Sequence, residues 1–168
     1  MKLKKVVVKF IINHMLCCTR FFKIKKILLK FCGIEIGRNT KVVGPIYFGN
    51  SISIKIGDNC WIGKNISFDG DGKVYIGNNV DIAPNVVFNT GGHLIGSSKH
   101  RAGKGIITEI SVGDGCWIGT GALIVNNTTI NSGVVVAAGS VVIKNIPNNV
   151  LIAGVPAKIK KELDESDD

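Results

Sequence analysis

The stretch Val112–Pro147 reads VGDGCWIGTGALIVNNTTINSGVVVAAGSVVIKNIP and repeats itself every six residues. One position in each hexad is aliphatic, in the order Val112, Ile118, Ile124, Ile130, Val136 and Val142. An α-helix requires apolar spacing near 3.6 residues and a coiled coil requires a seven-residue repeat, so neither fits. A six-residue period is typical of parallel β-helices. We therefore predict an all-β solenoid, a left-handed parallel β-helix in which three hexads form the three sides of one coil.

The residues that flank each aliphatic position suit a coil with tight corners. A small residue, an Asn or another aliphatic residue follows it, as in Gly113, Gly119 and Asn131. The residue two positions before it is mostly small or β-branched, as in Cys116 and Thr128. Each aliphatic side chain is expected to point inside. Successive coils are expected to stack about 4.8 Å apart through backbone hydrogen bonds.

The same period extends toward the N-terminus with interruptions. It starts irregularly near residue 34, becomes regular at Ile54 and shifts by two residues across 70–73. Between Asn89 and Ile110 the hexads are absent, and the segment TGGHLIGSSKHRAGKG is rich in Gly, polar and basic residues. This composition predicts a loop excursion over 89–110. Insertions in solenoids commonly build the binding face, so this loop is where we expect a functional site.

The period divides the chain into three regions. Residues 1–33 form a basic amphipathic helical segment, residues 34–147 form the β-helix with its loop, and residues 148–168 form a tail and cap. Pro156 predicts the start of a short C-terminal helix, because Pro is favoured at the first helical position. The acidic end of the chain is expected to be disordered.

The net charge of +9 comes from the N-terminal segment. Residues 1–30 hold nine of the 21 Lys and Arg residues and none of the 12 Asp and Glu residues, so the remainder sums to zero. A neutral body without interleaved basic and aromatic residues argues against a nucleic-acid partner.

Two roles stay open for the N-terminal segment. Its apolar residues Phe21, Ile24, Leu28 and Phe31 form a helical stripe, which suits a cap over the open end of the solenoid. A basic amphipathic helix also suits contact with an anionic membrane surface. Its uncharged apolar runs are too short for a membrane-spanning helix. We therefore expect a cytoplasmic protein, peripheral on the inner face of the membrane if the segment binds lipid.

The five cysteines are an odd number without C-x-x-C spacing, which argues against a disulfide framework and a zinc ribbon. Cys60 and Cys116 occupy matching hexad positions in GDNCW and GDGCW, where a small apolar residue is favoured. A reducing, cytosolic compartment fits this usage.

His93 is the candidate catalytic residue in the predicted loop. It follows Gly91 and Gly92, where the backbone can approach a ligand closely, and histidine is the usual general base at neutral pH. His100 lies in the same loop and competes for the role. The cysteines sit at wall positions, so we can argue no Cys-His pair. The remaining histidine, His14, belongs to the basic segment, and we expect no metal site.

Several runs resemble one known family. They are IGNNVDIAPN at 76–85 followed by TGGH at 90–93, then VGDGCWIG at 112–119, AGSVV at 138–142 and GVPAK at 154–158. Together they resemble the hexapeptide-repeat acyltransferases, and most closely the sugar O-acetyltransferases that act on maltose, galactosides or surface polysaccharide. The resemblance covers about residues 54–161, with the motifs in family order.

The resemblance implies an acetyl-CoA-dependent O-acetyltransferase acting by direct transfer. The family's catalytic histidine falls on His93, which as general base would take the proton of an acceptor hydroxyl while its oxygen attacks the thioester. Backbone N–H groups near the loop would stabilise the oxyanion. The acceptor-binding positions fall on Asp71, Asn89 and Gly92. The family's CoA groove falls on Thr120, Ala138, Ile143, Lys144, Lys158 and Lys161, where small residues would admit the pantetheine arm and lysines would meet the phosphates.

In similar proteins the active site lies between subunits of a homotrimer, so the resemblance implies three sites, each with His93 facing the CoA groove of a neighbour. The chain departs from the maltose type at its front, where a basic, apolar segment replaces an acidic helical pair. This departure favours an acceptor held at the membrane, such as a lipid-linked saccharide or a growing surface polysaccharide. The Lys and Arg residues of the loop suit an anionic sugar or a phosphate.

Three alternatives stay open. Serine acetyltransferase shares the fold and the histidine but usually carries a large acidic helical N-terminal domain. An N-acetyltransferase acting on an amino-sugar nucleotide is a second enzyme reading. A non-catalytic β-helix scaffold would need neither His93 nor a CoA-type tail.

Overall fold

The computed structural model describes residues 2–164. It begins with α1 (Lys2–Phe10), a π-helical turn (Ile11–Met15) and α2 (Phe22–Phe31). The strands are β1 Glu35–Ile36, β2 Lys41–Val42, β3 Ile46–Phe48, β4 Ser53–Ile56, β5 Trp61–Ile62, β6 Ile66–Asp69, β7 Lys73–Ile76, β8 Asp81–Ile82, β9 Val87–Asn89, β10 Gly91–Ile95, β11 Ala102–Ile107, β12 Glu109–Val112, β13 Trp117–Ile118, β14 Leu123–Val125, β15 Thr128–Ile130, β16 Val135–Val136, β17 Val141–Val142, β18 Val150–Gly154 and β19 Ala157–Glu162. The acidic end over 165–168 lies outside the described residues.

Three parallel sheets form the sides of a solenoid. Side A contains β1, β4, β7, β12 and β15, side B contains β2, β5, β8, β13, β16 and β18, and side C contains β3, β6, β9, β14 and β17. Each strand pairs in register with the strand one coil away, as Ile62 does with Val42 and Ile82. Consecutive hexads therefore occupy consecutive sides, and the predicted three-sided parallel solenoid is confirmed.

The solenoid interior is a continuous column of aliphatic and aromatic side chains. The six aliphatic residues of the Val112–Pro147 hexads are all buried, none more than 3% exposed. On side C, Phe68 and Phe88 stack with ring centroids 5.2 Å apart. The second inward position takes small groups, and there the Cys60 thiol donates to the Gly77 carbonyl at 3.1 Å. The predicted role of the hexad positions is confirmed.

Rows of asparagine shape one corner. Asn39, Asn59 and Asn79 have φ values of 56°, 58° and 56°, in the left-handed region that Asn tolerates better than most residues. The Asn39 amide donates to Asn59 Oδ1 at 3.1 Å, and the Asn59 amide donates to Asn79 Oδ1 at 3.3 Å. The corner residues therefore also join successive coils.

The corner that leads from side C to side A, here called the C–A corner, differs in length from coil to coil. The step between buried residues is eight residues from Phe48 to Ile56 and from Phe68 to Ile76, and 24 residues from Phe88 to Val112. It is six residues from Ile124 to Ile130 and four from Val142 to Ile146. Steps such as Ile56 to Ile62 and Ile62 to Phe68 keep six residues. Length variation is therefore concentrated on one edge of the solenoid.

The excursion expected over 89–110 is an ordered β-hairpin rather than an irregular loop. Strands β10 and β11 pair antiparallel, with Gly91 opposite Ile107 and His93 opposite Gly105. Few side chains of this projection are buried, so pairing between its own strands is what satisfies its backbone groups.

The C-terminal end also differs from the prediction. The parallel solenoid continues past Pro147, because β18 pairs with β16 through Leu151 and Ile152. The short helix expected from Pro156 is wrong, since Ala157–Glu162 forms β19 and pairs antiparallel with β18. A strand at the end of a sheet has unpaired N–H and C=O groups, and β19 covers them on β18. This tertiary pairing overrides the local helix signal of Pro156.

The N-terminal segment caps the first coil. Ile12 and Leu29 are fully buried and belong to the continuous core. The Asn13 side chain donates to the Ile46 carbonyl and accepts from the Ile46 N–H, both at 3.0 Å, and so satisfies the edge strand β3. None of the helices within residues 2–164 has the length and apolar character needed to span a bilayer.

Replacing Ile82 by Ala is expected to lower the free energy of unfolding by about 2–5 kcal/mol, because it opens a cavity between Ile62 and Ile118. Urea denaturation followed by circular dichroism measures the change. The control is Asp81→Ala in the same strand, whose side chain is exposed and whose removal is expected to change stability by about 0.5 kcal/mol or less. Equal losses in both variants would contradict the assigned inward face.

Candidate active site

His93 lies on the hairpin that leaves the third coil at the C–A corner, and its side chain is exposed. Its Nδ1 is 2.8 Å from the Gly103 carbonyl oxygen on the opposite strand. A carbonyl oxygen only accepts, so Nδ1 carries the proton in the neutral imidazole and Nε2 is left with its lone pair. The hairpin thus orients a histidine whose Nε2 is able to act as a base.

His100 has a different position. It lies in the turn that joins β10 to β11, beyond the last paired residues Ile95 and Ala102, and is exposed. Its backbone N–H donates to the Ser97 carbonyl at 3.0 Å as part of that turn. The structure therefore separates the two loop histidines, with His93 near the solenoid and His100 at the outer end of the hairpin.

Thr90 anchors the base of the hairpin, a role that was not predicted from the sequence. It is fully buried, its hydroxyl donates to the Asp69 carbonyl at 2.9 Å, and the same oxygen accepts from the Gly72 N–H at 3.1 Å. The Thr90 carbonyl accepts from both the N–H and the hydroxyl of Thr108, at 2.9 and 3.0 Å. One residue therefore connects both strands of the hairpin to the turn that carries Asp71.

The acceptor-side residues predicted from the sequence meet at this edge. A Cβ on Gly70 would lie 2.5 Å from the Gly91 nitrogen, so the Asp71 turn touches the base of the hairpin. Asn89 Oδ1 accepts from the Gly91 N–H at 2.9 Å. The exposed Asp71 carboxylate and the hairpin that carries His93 thus lie on adjacent coils of the same edge.

Asn126 is a further residue of this edge that the sequence analysis missed. It lies one coil beyond Asn89 and donates its backbone N–H to the Asn89 carbonyl at 3.0 Å. A Cβ on Gly92 would lie 2.9 Å from the Asn126 amide nitrogen. The signal available in the sequence was its place in the C–A corner, directly after the hexad of Ile124.

The predicted CoA-groove residues flank side C. Thr120 and Ala138 stack at the corner between sides B and C, where the Gly139 N–H donates to the Thr120 carbonyl at 2.9 Å. Ile143 and Lys144 lie at the C–A corner and are exposed. The predicted set is therefore divided between the two edges of one face.

A strip of half-buried apolar residues connects these edges. Val87, Leu123 and Val141 are directly opposite one another on β9, β14 and β17 and face outward. No role for these three residues was predicted from the sequence. The available signal was an apolar residue directly before each inward residue, as Leu123 precedes Ile124.

The two C-terminal lysines of the predicted CoA groove lie on strand β19, and Lys158 is nearer to side C than Lys161 is. Lys158 pairs with Ala153, which leads from the last strand of side B into the corner that holds Ala138. Lys161 pairs with Leu151 and lies farther along the strand. Both side chains are exposed.

The wall cysteines are not candidates for nucleophilic chemistry. Burial raises the pKa of the Cys60 and Cys116 thiols, which disfavours the reactive thiolate. Within residues 2–164, no group of three or more His, Cys, Asp or Glu side chains is placed to hold a metal ion. Of the two histidines of the hairpin, His93 is the one near the solenoid.

Comparison with known proteins gives the family. No protein-family model matches the sequence. The galactoside O-acetyltransferase of Escherichia coli is 36% identical over 140 residues, which span 83% of this chain and 69% of that protein. The chain spans less of other curated relatives, such as 25% of the 2,3,4,5-tetrahydropyridine-2,6-dicarboxylate N-acetyltransferase of Clostridium perfringens, with 47% identity.

Solved structures agree with this assignment. A hexapeptide-repeat acetyltransferase of Vibrio cholerae, solved with acetyl-CoA, has a TM-score of 0.83 and 28% identity, covering 97% of this chain and 87% of that one. A galactoside acetyltransferase solved with CoA has a TM-score of 0.80 and 30% identity, covering 97% and 80%. The chain belongs to the hexapeptide-repeat acetyltransferases, and it is an acyltransferase by family. The expected family and left-handed β-helix fold are confirmed.

Replacing Thr90 by Val removes the acceptor of the Gly72 N–H while keeping the shape of the side chain. We expect a loss of about 1–3 kcal/mol in the free energy of unfolding, because a buried donor is left unpaired. Hydrogen exchange is expected to accelerate at Gly72 and along β10. The control is Thr129→Val, whose side chain is exposed on β15. Unchanged exchange at Gly72 would contradict the anchoring role of Thr90.

Proposed function

We propose that the protein is an acetyl-CoA-dependent O-acetyltransferase that acetylates a hydroxyl of a sugar, with His93 as general base. The observation that carries this proposal is the hydrogen bond from His93 Nδ1 to the Gly103 carbonyl, which leaves Nε2 as the base. The hairpin that carries this imidazole touches the turn of Asp71 at its base, and this polar corner suits a saccharide. The family's relatives named galactoside O-acetyltransferase support the same chemistry.

The reaction proceeds by direct transfer. Acetyl-CoA supplies an activated acetyl group as a thioester. His93 Nε2 takes the proton of the acceptor hydroxyl as its oxygen attacks the thioester carbonyl carbon, and the C–S bond then breaks. The imidazolium returns its proton to the departing sulfur, so His93 ends the cycle neutral. Asp71, with Asn89 and the backbone at Gly92, orients the acceptor by accepting and donating hydrogen bonds.

The donor binds along side C. The side chains of Thr120 and Ala138 are small, which leaves room at their corner, and the strip of Val87, Leu123 and Val141 provides an apolar floor for the pantetheine arm. Lys144 at the opposite edge and Lys158 and Lys161 on β19 are exposed cations that meet the nucleotide phosphates. Ile143 contributes apolar contact beside Lys144.

The active unit is a homotrimer with its sites between subunits. Three residues of the hairpin, Leu94, Ile95 and Ile107, are 54–88% exposed in the single chain, and Trp117 is also exposed. Apolar side chains at this density mark a contact surface. A neighbouring subunit that covers the hairpin would bring His93 of one chain to the CoA groove of the next.

The acceptor is a unit of a surface polysaccharide or a lipid-linked saccharide, and the protein acts in the cytoplasm, peripheral on the inner face of the membrane. The hairpin carries the exposed cations Lys99 and Arg101 near its outer end and Lys104 next to Gly105, the residue opposite His93. They suit an anionic sugar or a phosphate on the acceptor.

Replacing His93 by Ala is expected to reduce acceptor-dependent release of CoA from acetyl-CoA by about 10²–10⁴-fold, because the general base is lost. A thiol assay with saccharides, serine and amino-sugar nucleotides as acceptors measures the rate. The control is His100→Ala at the end of the same hairpin, which is expected to retain most of the activity.

Serine or an amino-sugar nucleotide as the best acceptor would replace the sugar O-acetylation proposal. No release with any acceptor, together with no acetyl-CoA binding by calorimetry, would favour a non-catalytic scaffold.

Mixed trimers test the shared site. A His93→Ala chain and an Ala138→Tyr chain are each expected to be inactive, because the first lacks the base and the second has a blocked CoA groove. Co-expressed in equal amounts, they are expected to recover about a quarter of the wild-type activity, because that fraction of interfaces pairs two intact halves. Absence of any recovery, with mixed oligomers verified by affinity tags, would place both elements in the same chain's site.

A further inference from the structure

Helix α2 places two lysines against the solenoid beside the buried Leu29 and leaves three of its large apolar side chains exposed. Lys25 is fully buried and donates to the carbonyls of Cys18 at 2.5 Å and Val43 at 2.6 Å. Its neighbour Lys26 donates to the Gly37 carbonyl. The opposite face presents Ile24, Ile27 and Phe31, which are 49–78% exposed. A surface helix of a water-soluble domain ordinarily has the reverse arrangement.

The first helix repeats this inversion. Lys9 donates to the Phe48 carbonyl at 2.6 Å, and Lys5 donates to the Asn50 carbonyl at 3.2 Å, so both reach toward the solenoid. Exposed apolar residues continue along the segment and form what we call the outer apolar surface. Its members are Val6, Val7, Phe10, Met15, Phe21, Ile24, Ile27 and Phe31.

The inward lysines act as polar anchors rather than as ion pairs. Their acceptors are backbone carbonyls of the first coil and, for Lys25, also the carbonyl of Cys18 just before α2. Burial lowers the pKa of Lys25 and Lys9. Because these contacts and the Asn13 pair hold the segment on the solenoid, the outer apolar surface cannot rotate inward without leaving those carbonyls without donors.

The charge around the outer apolar surface is entirely positive. Arg20, Lys23 and Lys30 are exposed beside it. The sequence contains no Asp or Glu before Glu35, and Glu35 already pairs with Lys55 at 3.0 Å. The segment therefore exposes large apolar side chains together with cations and no acidic residue, which is the chemistry of a helix lying in the headgroup region of an anionic bilayer.

We propose that the outer apolar surface docks this protein on an anionic lipid bilayer, with Arg20, Lys23 and Lys30 against the headgroups. Charge complementarity selects the bilayer over a second copy of the chain. Two copies joined through this surface would oppose like charges, and the solenoid body has no surplus of acidic residues to offer in its place. The proposal does not depend on the acetyltransferase chemistry.

Docking in this way would place the candidate active site close to the lipid. The segment caps the first coil, and the hairpin of His93 leaves the third, two coil spacings or about 10 Å farther along the solenoid. An acceptor attached to a membrane lipid would be within reach of that edge.

Vesicle flotation of the full chain tests the proposal directly. We expect binding to vesicles of phosphatidylcholine and phosphatidylglycerol in equal parts, and weak binding to phosphatidylcholine alone. The triple variant Phe10→Ser, Ile27→Ser, Phe31→Ser is expected to remain unbound, whereas the matched variant Phe10→Leu, Ile27→Leu, Phe31→Leu is expected to bind like wild type. If the amount of wild type in the floating fraction were the same with and without vesicles, the proposal would be overturned.

A second variant distinguishes the contribution of charge to vesicle binding from that of apolar contact. It also tests the proposal if the Ser variant fails to fold. Lys23→Gln with Lys30→Gln is expected to weaken binding to the anionic vesicles by about fivefold per lysine. Light scattering in the absence of lipid measures oligomeric state in parallel. A smaller oligomer for the Ser variant than for the Leu variant would show that the surface joins copies of the chain, and the membrane proposal would be wrong.

Discussion

The in-register stacking of one coil on the next is the constraint on which the structure depends. Each coil offers its backbone N–H and C=O groups to its neighbours along three sides, and this pairing holds only if every inward residue lies over another inward residue. A six-residue step satisfies that condition at each side, since it returns the chain to the same phase of the next strand. A single residue gained or lost within a side would turn the column of Ile62, Ile82 and Ile118 outward.

The number of residues between inward positions can therefore vary only at a corner, and in this chain nearly all of the variation occurs at one corner. The C–A corner absorbs steps of eight, 24, six and four residues between buried positions, while the register of the sides is kept. The hairpin of His93, the turn of Asp71 and Asn126 all belong to that edge. The candidate site therefore lies where the stacking constraint is relaxed. Thr90 then restores order at that place, because its buried hydroxyl and carbonyl connect the hairpin to the turn beside it.

The sequence predicted the features that repeat and missed those that depend on distant partners. The hexads predicted the three sides and the buried column, because a local period determines which residues face inward. The strand after Pro156 was predicted as a helix, since nothing nearby reveals that β18 would otherwise be an open edge. The inward direction of the Lys9 and Lys25 side chains could not be predicted from the sequence either. Their acceptors, at Phe48 and Val43, lie 39 and 18 residues away.

The residues of the candidate site also fall into those predicted from the sequence and those found only in the structure. His93, Asp71 and Asn89 were assigned through a resemblance in the sequence, and the structure brings the Asp71 turn and the His93 hairpin to one edge. The role of Thr90 and the strip of Val87, Leu123 and Val141 required coordinates, because each follows from contacts between coils. A resemblance transfers the chemical groups, whereas the contacts that position them have to be observed.

The separation of paired strands along the chain has a consequence for how the protein folds. Parallel partners such as Ile56 and Ile76, or Val112 and Ile130, are only 20 and 18 residues apart, so this all-β protein has the short contact range usually associated with faster folding. Coils can add one after another onto the capped end, each templated by the last. The exception is the junction between the third and fourth coils, where partners such as Ile76 and Val112 are 36 residues apart and the hairpin lies between them. Chain closure across a longer segment costs more entropy, so we expect addition of the fourth coil, at the edge that carries His93, to be slower than addition of the others.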